Sequence, residues 1–189
     1  MHPTLMSADD AGLLVIDVQE KLLPLIPNRE LLVRNIGFLI DIAALMKMPI
    51  IATEQYPQGL GLTVAPLAKK LPAARPDKLA FSCASIRSVV EAFQRDARPK
   101  LLLTGIESHV CIQQSALDLL AEGFRVYVAA DAISCRYPVD HEMALRRMEQ
   151  AGVILTSAEA AAFEWVGRAG TPEFKTLSKM LQERANSTS

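Results

Sequence analysis

The chain has 189 residues, half of them hydrophobic, with 20 Lys and Arg against 21 Asp and Glu. That length suits one domain, 1–189, with a substantial core. The charge balance predicts no long-range attraction for nucleic acid or an anionic membrane. The polar N-terminus, with Asp9 and Asp10 ahead of the first apolar run, reads as lacking a secretory signal, and no apolar run approaches the roughly 20 residues that span a bilayer. Three cysteines, Cys83, Cys111 and Cys135, are too few and too odd for a disulfide framework, which points to the cytoplasm.

Taken in order, strand-like and helix-like segments alternate. Residues 12–16 form a continuous apolar run that stops at Asp17, with Gln19 just beyond it. Leu32, Ile36, Leu39, Ala43 and Met46 then recur at helical spacing, and a second short strand follows Pro49 at 50–52. Residues 55–78 carry Gly and Pro often enough to read as a long irregular excursion with a helical turn near Leu67. A helix over 86–97 leads to a strand at 101–104, a helix after Cys111, and a strand at 126–130. Met143, Leu145 and Met148 mark the next helix, and 153–155 the last strand. Two late helix starts carry signatures: Thr156 with Glu159 at capping-box spacing, and Thr171 before Pro172. Strands apolar on consecutive residues, alternating with helices, predict a three-layer α/β/α domain around a mostly parallel sheet.

Three residues stand where such a sheet gathers its chemistry. Cys111 follows the run Leu101-Leu102-Leu103-Thr104-Gly105 and opens a helical pattern shared by Ile112, Ala116, Leu119 and Leu120. A thiol at a helix N-terminus, beyond the carboxyl end of a strand, is favoured as thiolate and reads as a nucleophile. The competing reading is an inert small core residue. Asp17 ends the first strand and can deprotonate a nucleophile in the same crevice, or serve only as a turn aspartate. Lys78, before Leu79-Ala80-Phe81, closes the irregular excursion; a lone lysine is otherwise an exposed one.

Together these residues resemble the isochorismatase-like cysteine hydrolases. The match runs over nearly the whole chain: the strand ending at Asp17 and Gln19, the segment Thr53-Glu54-Gln55-Tyr56-Pro57, Lys78 with Phe81-Ser82, Gly105-Ile106-Glu107-Ser108-His109-Val110-Cys111, Asp131, and Pro172-Glu173-Phe174-Lys175. The nearest likeness is to isochorismatase-domain-containing proteins and their bacterial relatives. The resemblance implies that Cys111 attacks a carbonyl carbon, that of an amide, to give a thioester. Asp17 takes the thiol proton and later activates water, while Lys78 holds Asp17 in register and lowers the thiol pKa. It further implies an oxyanion hole from the backbone N–H groups of Glu107 and Cys111, and a cis peptide between Ile106 and Glu107.

The resemblance also marks departures. Nicotinamidases of this group place Asp and His metal ligands where this chain has Gln55 and Pro57, and the only histidines here are His2, His109 and His141. A neutral amide and a proline cannot replace those ligands, so no metal and no cofactor is expected. Isochorismate hydrolysis itself cleaves a vinyl ether and needs no thiolate. Gln19, Tyr56, Phe81 and His109 are candidate pocket residues, with packing or loop-shaping roles as the alternatives; His109 could also act as a base. Cys83 and Cys135 read as structural thiols. The leading expectation is a hydrolase of a small-molecule substrate that assembles as a homo-oligomer. A catalytically silent scaffold protein and a thiol redox sensor are the competing classes.

Overall fold

The computed structural model describes residues 2–186. Its strands are β1 (Ala11–Ile16), β2 (Ile50–Gln55), β3 (Asp77–Lys78), β4 (Lys100–Ile106), β5 (Arg125–Ser134) and β6 (Ile154–Thr156). Between and after them run α1 (Arg29–Leu45), α2 (Pro57–Leu60), α3 (Ala65–Ala68), α4 (Arg87–Arg95), α5 (Gln113–Ala121), α6 (Pro138–Gln150), α7 (Ala158–Val166) and α8 (Pro172–Asn186). The strands form one parallel sheet in the order β3-β2-β1-β4-β5-β6.

The continuous apolar strands follow from burial on both faces. Leu13 and Val15 enter one core with Leu102, Tyr127 and Ala129, under α1, α7 and α8; its helical contributors include Ile36, Leu39, Trp165 and Leu177. Leu14 and Ile16 enter the other with Leu101, Leu103, Val126 and Val128, under α4, α5 and α6, where Phe93, Ala116 and Met148 meet them. The period-two alternation of the strands thus divides the interior into two layers of core.

The expected α/β alternation is present, with three adjustments. The irregular excursion contains two four-residue helices and ends in β3, an edge strand too short to show as an apolar run. β5 extends past the expected 126–130 to Ser134, with a register irregularity opposite β4, so Asp131 lies inside the strand. The cap of α7 is Ser157, whose hydroxyl accepts from the Ala160 N–H, one residue after the expected Thr156. Thr171 does cap α8, accepting from the Phe174 N–H at 3.0 Å.

The strand order reverses direction between β1 and β4, whose connections leave toward opposite edges, and this opens a crevice at their carboxyl ends. Gly105 lets the two strands close there. It pairs with Ile16 at φ +124°, and a Cβ on it would lie 2.0 Å from the Ile16 carbonyl oxygen.

Candidate active site

Asp17, Lys78 and Cys111 are 61 and 33 residues apart along the chain, yet the carboxyl ends of β1, β3 and β4 deliver them to one place. Asp17 leaves β1 with φ +55°, held by its N–H donating to the Thr53 carbonyl at 3.2 Å. Its carboxylate is fully buried and its two oxygens are used differently. Oδ2 accepts from Lys78 Nζ at 2.6 Å, and Oδ1 from the Thr53 hydroxyl at 2.8 Å. Lys78 also donates to Gln55 Oε1 at 2.7 Å, and Gln55 donates onward to the Leu79 carbonyl at 2.9 Å. Lysine is rarely buried unpaired; here an edge strand two residues long carries an ammonium into the interior because its counterion waits there. Burial opposes that charge, but the Asp17 carboxylate outweighs it and raises the Lys78 pKa above its ordinary 10.5.

Cys111 sits within a π-helical turn, Ser108–Ile112, that runs into α5. The Glu107 carbonyl accepts from the Val110 and Ile112 N–H groups, folding the turn back on the end of β4. The thiol is 5% exposed and lies against Asp17. Burial, reinforced by that carboxylate, pushes the thiol far above its ordinary range, and the opposing pull of Lys78 is too weak to reverse it. These surroundings favour the neutral thiol over the thiolate. This corrects the expectation that a helix N-terminus and Lys78 favour the thiolate: the cysteine lies inside a turn, not at a free helix end, and the Asp17 carboxylate acts on it more strongly than the Lys78 ammonium.

The other candidates have distinct surroundings. Gln19 is fully buried and faces inward: its side chain donates to the Gln55 and Gly61 carbonyls and accepts from the Gln55 N–H at 2.7 Å, clamping the loop after β2. The Ile106–Glu107 peptide is cis. The Glu107 carboxylate accepts from the Arg136 N–H at 3.0 Å and the Arg136 Nε at 3.1 Å, so it is turned toward β5 and its charge is matched. Tyr56 is half-exposed with φ +38°, its ring laid over Gly59, where a Cβ would come within 2.3 Å of it. Phe81, also half-exposed, borders a surface hollow with Gln114 and Asp118 of α5. His109 Nε2 is 3.8 Å from Asp140, and its Nδ1 has no partner among the described residues. His141 instead contacts Ser108 Oγ at 2.9 Å.

Three close neighbours of the Asp17 carboxylate and Lys78 ammonium were not singled out from the sequence: Thr53, Gln55 as a lysine partner, and Cys83. Thr53 and Gln55 share one face of β2 by period two, which is the signal available in the chain. Cys83 has none. Among the described residues no group of three or more His, Cys, Asp or Glu side chains is placed to hold a metal ion, and no helix is long and apolar enough to cross a membrane.

The isochorismatase domain family model matches residues 11–160 of the chain. Human isochorismatase domain-containing protein 2 is 40% identical over 178 residues, covering 92% of this chain and 83% of that protein. The secreted isochorismatase effector Isc1 of Phytophthora sojae is 37% identical over 177 residues, covering 90% and 84%. The solved structure of the MAR1 ribonuclease from Caenorhabditis elegans is similar at a TM-score of 0.89 and 37% identity, over 95% of this chain and 93% of that one.

Proposed function

This chain belongs to the isochorismatase family, and from that premise we propose that it is a cysteine hydrolase cleaving the C–N bond of a small-molecule amide. One observation carries the reading: a buried lysine 2.6 Å from a buried aspartate, with a buried thiol against the same carboxylate. Building such a cluster costs desolvation that a purely structural role does not need, and perturbed groups of this kind gather at reactive sites.

In the proposed reaction Asp17 accepts the Cys111 proton as Sγ bonds to the substrate carbonyl carbon. The thiol has no need to ionise beforehand; a positioned base removes its proton during attack. The backbone N–H groups of Glu107 and Cys111 meet the developing oxyanion, and Lys78, 2.6 Å from Asp17 Oδ2, holds that carboxylate in place. Collapse breaks the C–N bond, the Asp17 proton passes to the leaving nitrogen, and a Cys111 thioester remains. Asp17 then takes a proton from water, whose oxygen attacks the thioester; the acid leaves and the thiol regains its proton. No metal or cofactor enters these steps. Gln19, through its clamp on the loop after β2, and Tyr56, Phe81 and His109 around the rim, shape access to the thiol.

The burial of Cys111 favours a second reading, a protein that keeps the fold without turnover. Screening small uncharged amides, with intact-mass detection of an acyl group on Cys111, separates the two. The hydrolase reading expects a trapped adduct and its loss in Cys111→Ala and Asp17→Asn; full turnover by Cys111→Ala overturns it. We further propose one domain over 1–189 and a cytoplasmic location, supported by three unpaired buried cysteines. Assembly into a homo-oligomer is supported by the exposed Val139 and Met143, four residues apart on α6 and so neighbours on its surface.

A further inference from the structure

We propose that Cys83 is a positioning residue for the reaction of Cys111, tying the base Asp17 to the helix that carries the nucleophile; this rests on the roles given to those two residues above. The polarity of each hydrogen bond leads there. Thr53 Oγ1 lies 2.8 Å from Asp17 Oδ1 and 3.4 Å from Cys83 Sγ. A carboxylate oxygen can only accept, so the single hydroxyl hydrogen of Thr53 goes to Asp17. One polarity then remains for the other contact: the Cys83 S–H donates into a lone pair of Thr53.

The backbone of the same residue reaches the other way. The Cys83 N–H donates to Ser115 Oγ at 2.8 Å, and Ser115 stands on α5 four residues after Cys111, about one helical turn. The chain of contacts therefore runs from the helix of Cys111 through Ser115, Cys83 and Thr53 to Asp17, which faces Cys111 again. Asp17, Cys83 and Ser115 are 0% exposed and Thr53 1%, so every bond in it is shielded from solvent. A filler thiol would make apolar contacts only, and a second nucleophile would have to be reachable. Cys83 is neither, and burial, with Asp17 beside it, pushes its thiol up to about 11, keeping the hydrogen that the chain requires.

A hydroxyl that itself accepts a hydrogen bond is a better donor. Cys83 thus strengthens the Thr53 bond to the Asp17 carboxylate and helps fix the carboxylate opposite the thiol. The test is the pH dependence of Cys111 alkylation by iodoacetamide, read by peptide mapping on the full chain. It compares wild type, Cys83→Val, which keeps the bulk without a donor, Cys83→Ser, which keeps the donor, and Thr53→Val.

Cys83→Val is expected to move the acidic limb of the profile to higher pH and to change the rate about fivefold, the equivalent of one neutral hydrogen bond. Thr53→Val does the same more strongly, and Cys83→Ser stays within about twofold of wild type. Cys83→Val and Cys83→Ser both superimposing on wild type overturns the proposal. Should Cys83→Val fail to fold, an unmoved limb in Thr53→Val overturns it equally. An alkylation rate in otherwise wild-type protein that ignores Asp17→Asn refutes the underlying reading instead, so the two failures are distinguishable.

Discussion

Asp17→Asn removes the anion from a pair that solvent hardly touches. The Lys78 and Asp17 side chains are 1% and 0% exposed and 2.6 Å apart. At an effective dielectric constant near 20 their attraction is about 6 kcal/mol, part of which desolvation takes back. What the substitution leaves is an ammonium buried without its counterion, and breaking such a pair costs about 3–5 kcal/mol. The pH dependence follows from the sign of the lysine shift. In the wild type Lys78 is held above 10.5, so its contribution is complete below that value and is lost only as pH rises through the higher folded value. With Asp17 gone, burial dominates and Lys78 falls below its ordinary value. The unfolded chain then binds a proton that the folded one does not, and the variant gains stability with rising pH, up to about 1.4 kcal/mol per unit, until the ordinary lysine value is reached. Urea unfolding followed by fluorescence of Trp165, which is 2% exposed, measures both effects at neutral and alkaline pH. The double variant Asp17→Asn/Lys78→Met should recover most of the loss, because it removes the orphaned charge. A single variant less than about 1 kcal/mol below wild type with no pH slope, or a double variant no better than the single, would refute the reasoning.

Three further outcomes follow from other parts of the fold. Burial alone would raise the Glu54 pKa, but donation from the Thr63 N–H and hydroxyl and from Arg75 lowers it below 4.5. Its stabilisation is therefore present above pH 4.5 and lost as pH falls through the folded value; Glu54→Gln should cost about 1–3 kcal/mol at neutral pH and flatten that part of the acid limb in urea titrations. Gly105→Ala places a methyl 2.0 Å from the Ile16 carbonyl, so it should cost more than about 4 kcal/mol or abolish soluble expression; a normal melting temperature would contradict the close approach of β1 and β4. Arg136→Ala takes the Nε donor from the Glu107 carboxylate, loosening the turn before Cys111, and should lower the Cys111 alkylation rate about tenfold without shifting its pH profile.

Much of the architecture is local information. The runs at 12–16 and 101–104 are apolar on consecutive residues because strands of a parallel sheet are covered twice, and the intervening 3.6-period patterns supply the covering helices. The family resemblance, and with it the ordered appearance of Asp17, Lys78 and Cys111, is equally legible: Asp17 and Cys111 follow apolar runs recognisable from their own residues, and Lys78 is marked by the resemblance alone. The tertiary structure decided what depends on distance in space. β3 is two residues long and exists as a strand only through pairing with Glu54 and Gln55. Thr156 and Ser157 are chemically equivalent caps, and the end of β6 selects the second. The local sequence puts Cys111 at a positive helix end and favours thiolate, whereas burial beside Asp17 pushes the thiol up. Cys83, 28 residues before Cys111, reads as an inert thiol in the sequence, and only the fold sets it between Thr53 and Ser115. Periodicity reports which face a residue takes, and that much is carried by the chain itself. Protonation and hydrogen-bond polarity depend on which groups from other strands complete the surroundings, and only the folded arrangement brings those together.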